Sequence, residues 1–537
     1  MRTLPIAAAL LPIALLATQG CIWILGDEPI QAGGSGAGGE TVGGQPVGAG
    51  PSGGIGGGNG GGLPVCMEPC IEDSGACVTP SNKIFLEPTE TINPNNDPDR
   101  VLPIGLAVSG NDVYGAVRYR PAITGGPGVP LSVAADWVAR LNGDSAEGLI
   151  KIHECGLPNA DFSTGPIAGG PEKLHAIVSS AASASGTATV SSTTSLLGDS
   201  CEPNAQTTQI VTADSVNGLT PFVFTFGTDD PIEDFNFVTN DIPGQQVAMI
   251  DIDSNPGGDT AFLAVGPSDA FAVAKPVARN VAYSVGRLTP AGGIQWFNFV
   301  DLEATGTFPG TTFEGGISVD EAGGVWVVGT TGNEPNTTAF VQYRAPDGDV
   351  GLTWLGQPGS RGKTIAVADG QVIVGLDITL PYIVSAGTIT PAGGRDFLIV
   401  HFDAQTFITE RTTPTWYYPD TEAAHQTVDD DVVKQVEISV QAGCATNMYV
   451  LACIGVDCDT PVAAAPLLIL FDPLTGSFMS TRNLTITSGS LTPSQLAIVP
   501  DGVWIGAELK GSAYGRESKA FDNGTLAGST WFLKLPR

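Results

Sequence analysis

The sequence predicts an all-β protein built as one array of repeated hairpins, and three observations carry that expectation. Glycine and proline supply 71 and 40 of the 537 residues, a composition that disfavours helices. Beyond residue 64, apolar residues alternate with period two between turn residues rather than in helix-period stripes. An alternating run, a tight turn of Gly, Asn or Asp and a second alternating run recur seven times, as in Ile365-Ala-Val-Ala-Asp-Gly-Gln-Val-Ile-Val-Gly375. Such a hairpin cannot bury both of its faces alone, so seven copies imply a ring in which each unit covers the next.

The chain begins with one positive charge at Arg2, an apolar stretch from Leu4 to Ala17 and then Thr18-Gln19-Gly20-Cys21. Fourteen apolar residues are too few for a stable bilayer span, so residues 1–20 read as an export signal. A small residue directly before a cysteine resembles a bacterial lipoprotein signal, which implies lipidation of Cys21 as the mature N-terminus. Ile22 favours the outer membrane or cell surface, with periplasmic or secreted location as the alternative. Residues 21–63 form a linker: between Ala32 and Gly62, 17 of 31 residues are glycine, without apolar periodicity. Residues 64–80 are a short segment holding Cys66, Cys70 and Cys77, and 81–537 is the repeat body.

The body opens with Lys83-Ile-Phe-Leu-Glu87, an apolar run without a partner of its own. Hairpins then start at Leu106, His175, Ala248, Ile317, Ile365, Val436 and Leu496, spaced 69, 73, 69, 48, 71 and 60 residues apart. A second, more aromatic hairpin follows each of the first six: from Trp137, Phe222, Ala282, Phe340, Phe397 and Leu467. Two hairpins make a four-stranded unit, the blade of a β-propeller, with seven blades expected and six or eight as alternatives. The last repeat ends at Trp531-Phe-Leu-Lys-Leu and lacks a fourth strand. Residues 83–87 are expected to supply it, closing the ring and removing exposed edges.

The fourth repeat reads Asp320-Glu-Ala-Gly-Gly-Val-Trp-Val-Val-Gly-Thr-Thr331, then Ala339-Phe-Val-Gln-Tyr and Pro346-Asp-Gly348. It resembles the β-propeller repeats called SBBP in bacterial surface proteins, which read Asp-x-x-Gly-Asn-aromatic-Val-x-Gly-x-Thr, then Phe-Val and Asp-x-x-Gly. The first, third, fifth and seventh repeats match in part; the second and sixth match poorly. Gln342 and Tyr343 stand where a Lys is usual. The lipoprotein signal, glycine tether and degenerate repeats are together similar to myxobacterial surface lipoproteins. The resemblance implies fold and address and transfers no catalytic residue.

Function is sought on the face that carries the long connections. Turns within hairpins are short, whereas the segments 118–134, 154–174, 194–219, 376–394, 411–435 and 510–528 are long and should share the opposite face. Trp416, Tyr417 and Tyr418, followed by His425 and Asp429, Asp430 and Asp431, suit stacking on a sugar ring or peptide with carboxylates accepting hydrogen bonds. At the closure seam, Arg118, Tyr119 and Arg120 should neighbour Lys510, Tyr514, Arg516 and Lys519 and offer positive charge to a carboxylate-bearing partner. Without Cys21, eight cysteines remain, an even number that favours disulfides in an exported chain. Cys155 with Cys201 and Cys453 with Cys458 are the candidate pairs, leaving Cys444 for one of Cys66, Cys70 and Cys77.

Asp251-x-Asp253-x-Asn255-Pro-Gly257-Gly-Asp259 resembles the start of a calcium loop, but its glycine falls one place late and Leu263 occupies the bidentate acid's position. Turn chemistry already accounts for it, and no other cofactor is implied. Ser318 to Trp326 approaches a sialidase-type Asp-box with one residue too many and supports no glycosidase. His153, His175, His401 and His425 form no metal motif, and no Gly-x-Ser-x-Gly elbow occurs. No catalytic residue is assigned. The formal charge of −32 repels nucleic acid and anionic lipid, so membrane contact is expected through the lipid alone. The resulting expectation is a tethered, non-enzymatic propeller binding a glycan or protein through its long-loop face. A polysaccharide- or peptide-acting hydrolase or lyase with acids at the channel mouth, and an envelope spacer without ligand, are the alternatives.

Overall fold

The computed structural model describes residues 81–86, 100–120, 135–143, 145–154, 161–171, 173–182, 186–192, 207–213, 218–227, 234–237, 248–266, 281–289, 292–304, 313–385, 387–391, 394–409, 413–419, 430–440, 446–454, 465–473, 475–484, 488–513, 516–518 and 528–535. All lie within the unit Gly62–Arg537. The segment 1–80, with the signal, tether and Cys66, Cys70 and Cys77, lies outside them.

The described chain is almost entirely antiparallel sheet. Strand β1 (Asn82–Leu86) is followed by β2 (Arg100–Ser109), β3 (Asp112–Arg120), β4 (Ala135–Asn142) and β5 (Ser145–Glu154), which form the first sheet in that order. The second sheet runs β6 (Asp161–Gly169), β7 (Lys173–Ala182), β10 (Gly218–Gly227) and β11 (Asp234–Phe237), while β8 (Gly186–Ser192) and β9 (Thr207–Ala213) extend the first beyond β5. The third holds β12 (Ala248–Ser254), β13 (Thr260–Gly266), β14 (Ala282–Leu288) and β15 (Ile294–Glu303). The fourth holds β16 (Gly315–Val319), β17 (Val325–Thr331), β18 (Thr338–Arg344) and β19 (Val350–Pro358).

The fifth sheet holds β20 (Ser360–Ala368), β21 (Gln371–Ile378), β24 (Asp396–Asp403) and β25 (Trp416–Pro419). Its central connection carries the ribbon β22 (Tyr382–Val384) with β23 (Gly387–Ile389), and the one-turn helix α1 (Ala404–Thr409) follows β24. The sixth holds β26 (Val432–Ser439), β27 (Asn447–Ile454), β28 (Ala465–Asp472) and β29 (Ser477–Asn483). The seventh holds β30 (Ser488–Val499), β31 (Gly502–Ala513), with β32 (Arg516–Glu517) beside it, and β33 (Ser529–Leu535). Its outer place belongs to β1, which pairs antiparallel with β33 through Ile84↔Phe532 and Phe85↔Trp531. The strand is shifted one residue towards the N-terminus from the expected 83–87.

The hairpin turns behave as their residues dictate. Asp369 and Gly370 have φ of 51° and 71°, the left-handed pair that a two-residue hairpin needs to match strand twist. The middle strands are covered on both faces: every residue of Thr260–Gly266 is buried, which explains unbroken apolar runs where a one-sided sheet would alternate.

Core side chains interdigitate between consecutive sheets. Leu263 and Tyr283 of the third pack with Ile317 and Phe340 of the fourth. Trp326 and Val341 of the fourth pack with Val374 and Leu398 of the fifth, and Tyr449 and Leu451 of the sixth with Leu496 and Ile505 of the seventh. Trp504 and Phe532 of the seventh pack with Val101, Leu106 and Val113 of the first. The first strands correspondingly lie side by side: β2 against β6, β6 against β12, β12 against β16, β16 against β20, β20 against β26, β26 against β30 and β30 against β2.

The second repeat departs from expectation. A hairpin starting at His175 was expected, but β7 is the second strand of its sheet and β6 the first; after β7 the chain crosses to the first sheet. Gly165-Pro166 interrupts the alternation of β6, and its register shifts between Thr164 and Ile167, so the period-two signal fails there. The segments 154–174 and 194–219, read as connections, accordingly contain β6 and β9.

Candidate functional site

Two polar clusters stand out, and both arise from an irregularity of the first strands. Each first strand has a free edge, with N–H groups that need acceptors. Register shifts between Met249 and Asp251, Gly362 and Thr364, and Val433 and Gln435 mark a bulge that turns the following polar side chain towards the next sheet. Asp251 Oδ2 accepts the Ile317 N–H at 2.9 Å, and Asp253 Oδ2 accepts Val319 N–H at 2.8 Å and Ser318 Oγ–H at 3.0 Å. Ser318 Oγ in turn accepts Val367 N–H at 3.1 Å, Thr364 Oγ1 accepts Val436 N–H at 3.3 Å, and Gln435 Oε1 accepts Leu496 N–H at 2.7 Å.

This stitching gathers carboxyls along the first strands. Burial raises Asp251 to about 7, with its backbone hydrogen bonds opposing and Asp253 adding to the rise. Burial also raises Asp253. Glu437 on β26 is raised to about 8, first by burial and then by Asp253 and Asp251, against a 2.8 Å hydrogen bond from Gln435. Carboxyls of the third and sixth sheets therefore repel one another across the space between their first strands.

The second cluster lies at the strand ends that meet the connections β15–β16, β17–β18, β19–β20 and β21–β24, on the side opposite the hairpin turns. Lys363 is the extra residue of the β20 bulge. Its ammonium pairs with Glu314 and stands 3.4 Å from Asp377 Oδ2, which Arg395 approaches to 3.6 Å. Arg361 pairs with Glu334 and lies 4.0 Å from Glu314. Asp377 is fully buried, and it meets these cations as ion pairs rather than through well-aligned hydrogen bonds. Burial lifts it to about 6, with Lys363 and Arg395 pulling down and Glu314 pushing up. Burial works against the Lys363 charge, but Asp377 and Glu314 outweigh it and hold it above the ordinary lysine value. Tyr283 Oη–H fixes the approach of Glu314 by donating to its carbonyl at 2.8 Å.

Several sequence candidates fall elsewhere. Trp416, Tyr417 and Tyr418 were expected in a long loop but form β25, the outer strand of the fifth sheet. Trp416 stacks on His401 at 4.8 Å and donates its indole N–H to Pro473 O at 2.9 Å, beside the turn joining β28 and β29 on the hairpin-turn side. Tyr418 packs on Phe471 and Tyr417 on Tyr382. Their apolar contacts draw the segment into the sheet, which periodicity over four residues cannot reveal. His425 and Asp429 lie outside the described residues. Asp430 and Asp431 immediately precede β26 and adjoin the second cluster, with Asp431 N–H donating to Arg395 O at 2.8 Å.

At the seam, the first and seventh sheets do meet, with Thr530 Oγ1–H donating to Val101 O at 2.7 Å. Arg118 on β3 is in register with Asp136 on β4, and Lys510 pairs with Glu508 at 3.1 Å. Tyr119 and Arg120 lie on β3 and Arg516 on β32; Tyr514 and Lys519 lie outside the described residues. Cys453 is buried on β27. Cys155, Cys201, Cys444 and Cys458 lie outside the described residues.

In the calcium-like segment, the oxygens point apart. Asp251 and Asp253 serve β16, Asn255 Oδ1 accepts Asp259 N–H at 3.0 Å, and Asp259 pairs with Arg287. Among the described residues, no group of three or more His, Cys, Asp or Glu is placed to hold a metal ion. Asp320, at the Asp-box-like turn, accepts N–H groups from Ala322, Gly324 and the Trp326 indole. Buried His175 and His401 are both lowered to about 4 by burial. Sequence reading missed Glu314, Arg361, Lys363, Asp377, Arg395 and Glu437. The available signal was Arg361 and Lys363, two of only 23 basic residues, at the start of one strand.

No family model matches the chain, and no curated protein matches it. Among solved structures it is similar to polysaccharide lyase Uly1, at 9% identity over 86% of this chain and 98% of that one, with a TM-score of 0.42. The β-propeller domain of the Trilobed protease from Pyrococcus furiosus matches at 7% identity over 82% and 97%, with a TM-score of 0.38. The Trypanosoma rangeli sialidase matches at 9% over 85% and 58%, with a TM-score of 0.36. At these scores the likenesses carry no argument about activity.

Proposed function

We propose that this chain is an exported surface protein, tethered through a lipid on Cys21, whose seven sheets close as a β-propeller that binds a glycan or protein without turning it over. The succession of first strands, the packing of the seventh sheet on the first and the β1–β33 pairing support the closed ring. A degenerate SBBP-type surface lipoprotein agrees with this reading. The observation that carries the binding reading is the convergence of Lys363 and Arg395 on Asp377, with Arg361 beside Lys363 at their shared neighbour Glu314, on the long-connection side. In a chain with 55 acidic and 23 basic residues, three partly exposed cations at one set of strand ends form a recognition feature for anionic or hydroxyl-bearing groups.

The test is a glycan and surface-protein binding screen on the full chain carrying Cys21→Ser, beside a double Arg361→Met/Lys363→Met variant and a triple alanine variant at Trp416, Tyr417 and Tyr418. Binding lost in the double variant supports the reading. Loss confined to the triple variant moves the site to β25. A second reading draws on the raised carboxyls Asp251, Asp253 and Glu437: turnover of polysaccharide or peptide, abolished by Glu437→Gln, favours an enzyme. Silence in both assays with an intact fold leaves an envelope spacer.

A further inference from the structure

We infer that the cluster around Lys363 receives the carboxylate of an acidic sugar, and that Glu314 occupies that carboxylate's place in the free protein. The inference rests on the long-connection face being the binding face. Glu314 is bound by two cations at once: its carboxylate pairs with Lys363 and lies 4.0 Å from Arg361. It is also about one-quarter exposed, so an incoming carboxylate can compete for the same donors. Two cations converging on one solvent-reachable carboxylate are the arrangement by which proteins recognise carboxylates.

Asp377 has a different part. It is fully buried and reaches no solvent, yet it stands within 3.4 Å of Lys363 and 3.6 Å of Arg395. It is a positioning residue that holds both cations at the strand ends while leaving their outward donors to Glu314 or a ligand. Glu334, half exposed on the connection between β17 and β18, pairs with Arg361 and closes the rim.

A uronic acid fits this rim better than an acidic peptide. Its single carboxylate lies beside hydroxyls that can donate to Glu334 and to a displaced Glu314. An acidic peptide side chain carries no hydroxyls beside its carboxylate to make those bonds.

The experiment titrates the full chain carrying Cys21→Ser with oligogalacturonate, its methyl-esterified form and a polyglutamate peptide. Glu314→Gln should tighten oligogalacturonate binding about tenfold, because an internal competitor is removed. Arg361→Met should weaken it about tenfold or more at an unchanged melting temperature, and Lys363→Met should weaken it as much at a lower one, because buried Asp377 loses a cation. Asp377→Asn should weaken binding of the acidic form and leave it more salt-sensitive. Weaker or unchanged binding by Glu314→Gln, equal binding of the esterified oligomer, or preference for polyglutamate overturns the inference. If a neutral glycan binds and Lys363→Met abolishes it, the face is right and the carboxylate wrong. If no probe of the wider screen binds, both readings fall.

Discussion

Replacing Glu437 with glutamine should stabilise the protein, by an amount that grows with pH. Glu437 is raised from 4.5 to about 8 because burial and the nearby Asp253 and Asp251 oppose its charge. A carboxyl whose folded value exceeds its unfolded one binds extra protons in the native state, so stability falls as pH rises between those two values. Protonating a carboxyl of ordinary value 4.5 at pH 7 costs up to about 3.4 kcal/mol, at about 1.36 kcal/mol per pH unit. The side chain is partly exposed, and screening should leave about 1–2 kcal/mol of this. Glutamine keeps an oxygen for the Gln435 N–H and has no charge to suppress. Urea unfolding of the two proteins at pH 4.5, 7 and 8.5 should show coincident midpoints at the lowest pH, a higher midpoint for the variant at pH 7 and a larger gap at 8.5. A gap of constant size, or a variant less stable at pH 8.5, refutes the burial and repulsion assigned to these carboxyls.

Deleting residues 82–86 should abolish cooperative thermal unfolding, because β33 loses its outer partner and Trp531 its edge contact with Phe85; a deletion protein with an unchanged melting profile contradicts this. Asp320→Ala removes acceptors for two turn N–H groups and the buried Trp326 indole, and should cost about 2–4 kcal/mol by urea unfolding, whereas a loss under about 1 kcal/mol would assign the turn to its glycines. Gly511→Ala should cost about 3 kcal/mol or more, since its φ is 144° and a Cβ would fall 2.0 Å from Ser488 O. Gly370→Ala, also at positive φ (71°) but with nothing within 4 Å of the new Cβ, should cost about 1 kcal/mol, and equal losses at both glycines would disprove the steric account.

The repeat was legible where alternation and turn chemistry agreed. Ala248, Ile317, Ile365, Val436 and Leu496 all fall on first strands, and the unpartnered run near Lys83 finds β33. Legibility failed at Pro166 and across Ser179–Gly186, where small residues and proline erase the period-two signal and the chain leaves one sheet for another. Trp416 misled for a different reason. Its destination was decided by His401 and Pro473, which are distant in sequence.

The candidate site depends on the feature least visible in sequence, the bulge. A one-residue slip in a strand sends every later side chain to the other face, so a polar residue within an apparently regular run looks like a solvated position. In β12, β20 and β26 the slip instead turns Asp251, Thr364 and Gln435 towards the neighbouring strand edge, where each replaces the missing ladder partner. The extra residue cannot join that ladder. In β20 this residue is Lys363, and it is the charge around which Glu314 and Asp377 collect. One irregularity thus supplies both the stitching between sheets and the cation of the proposed site. Substitutions at Thr364 should therefore move stability alone, whereas those at Lys363 should move binding as well.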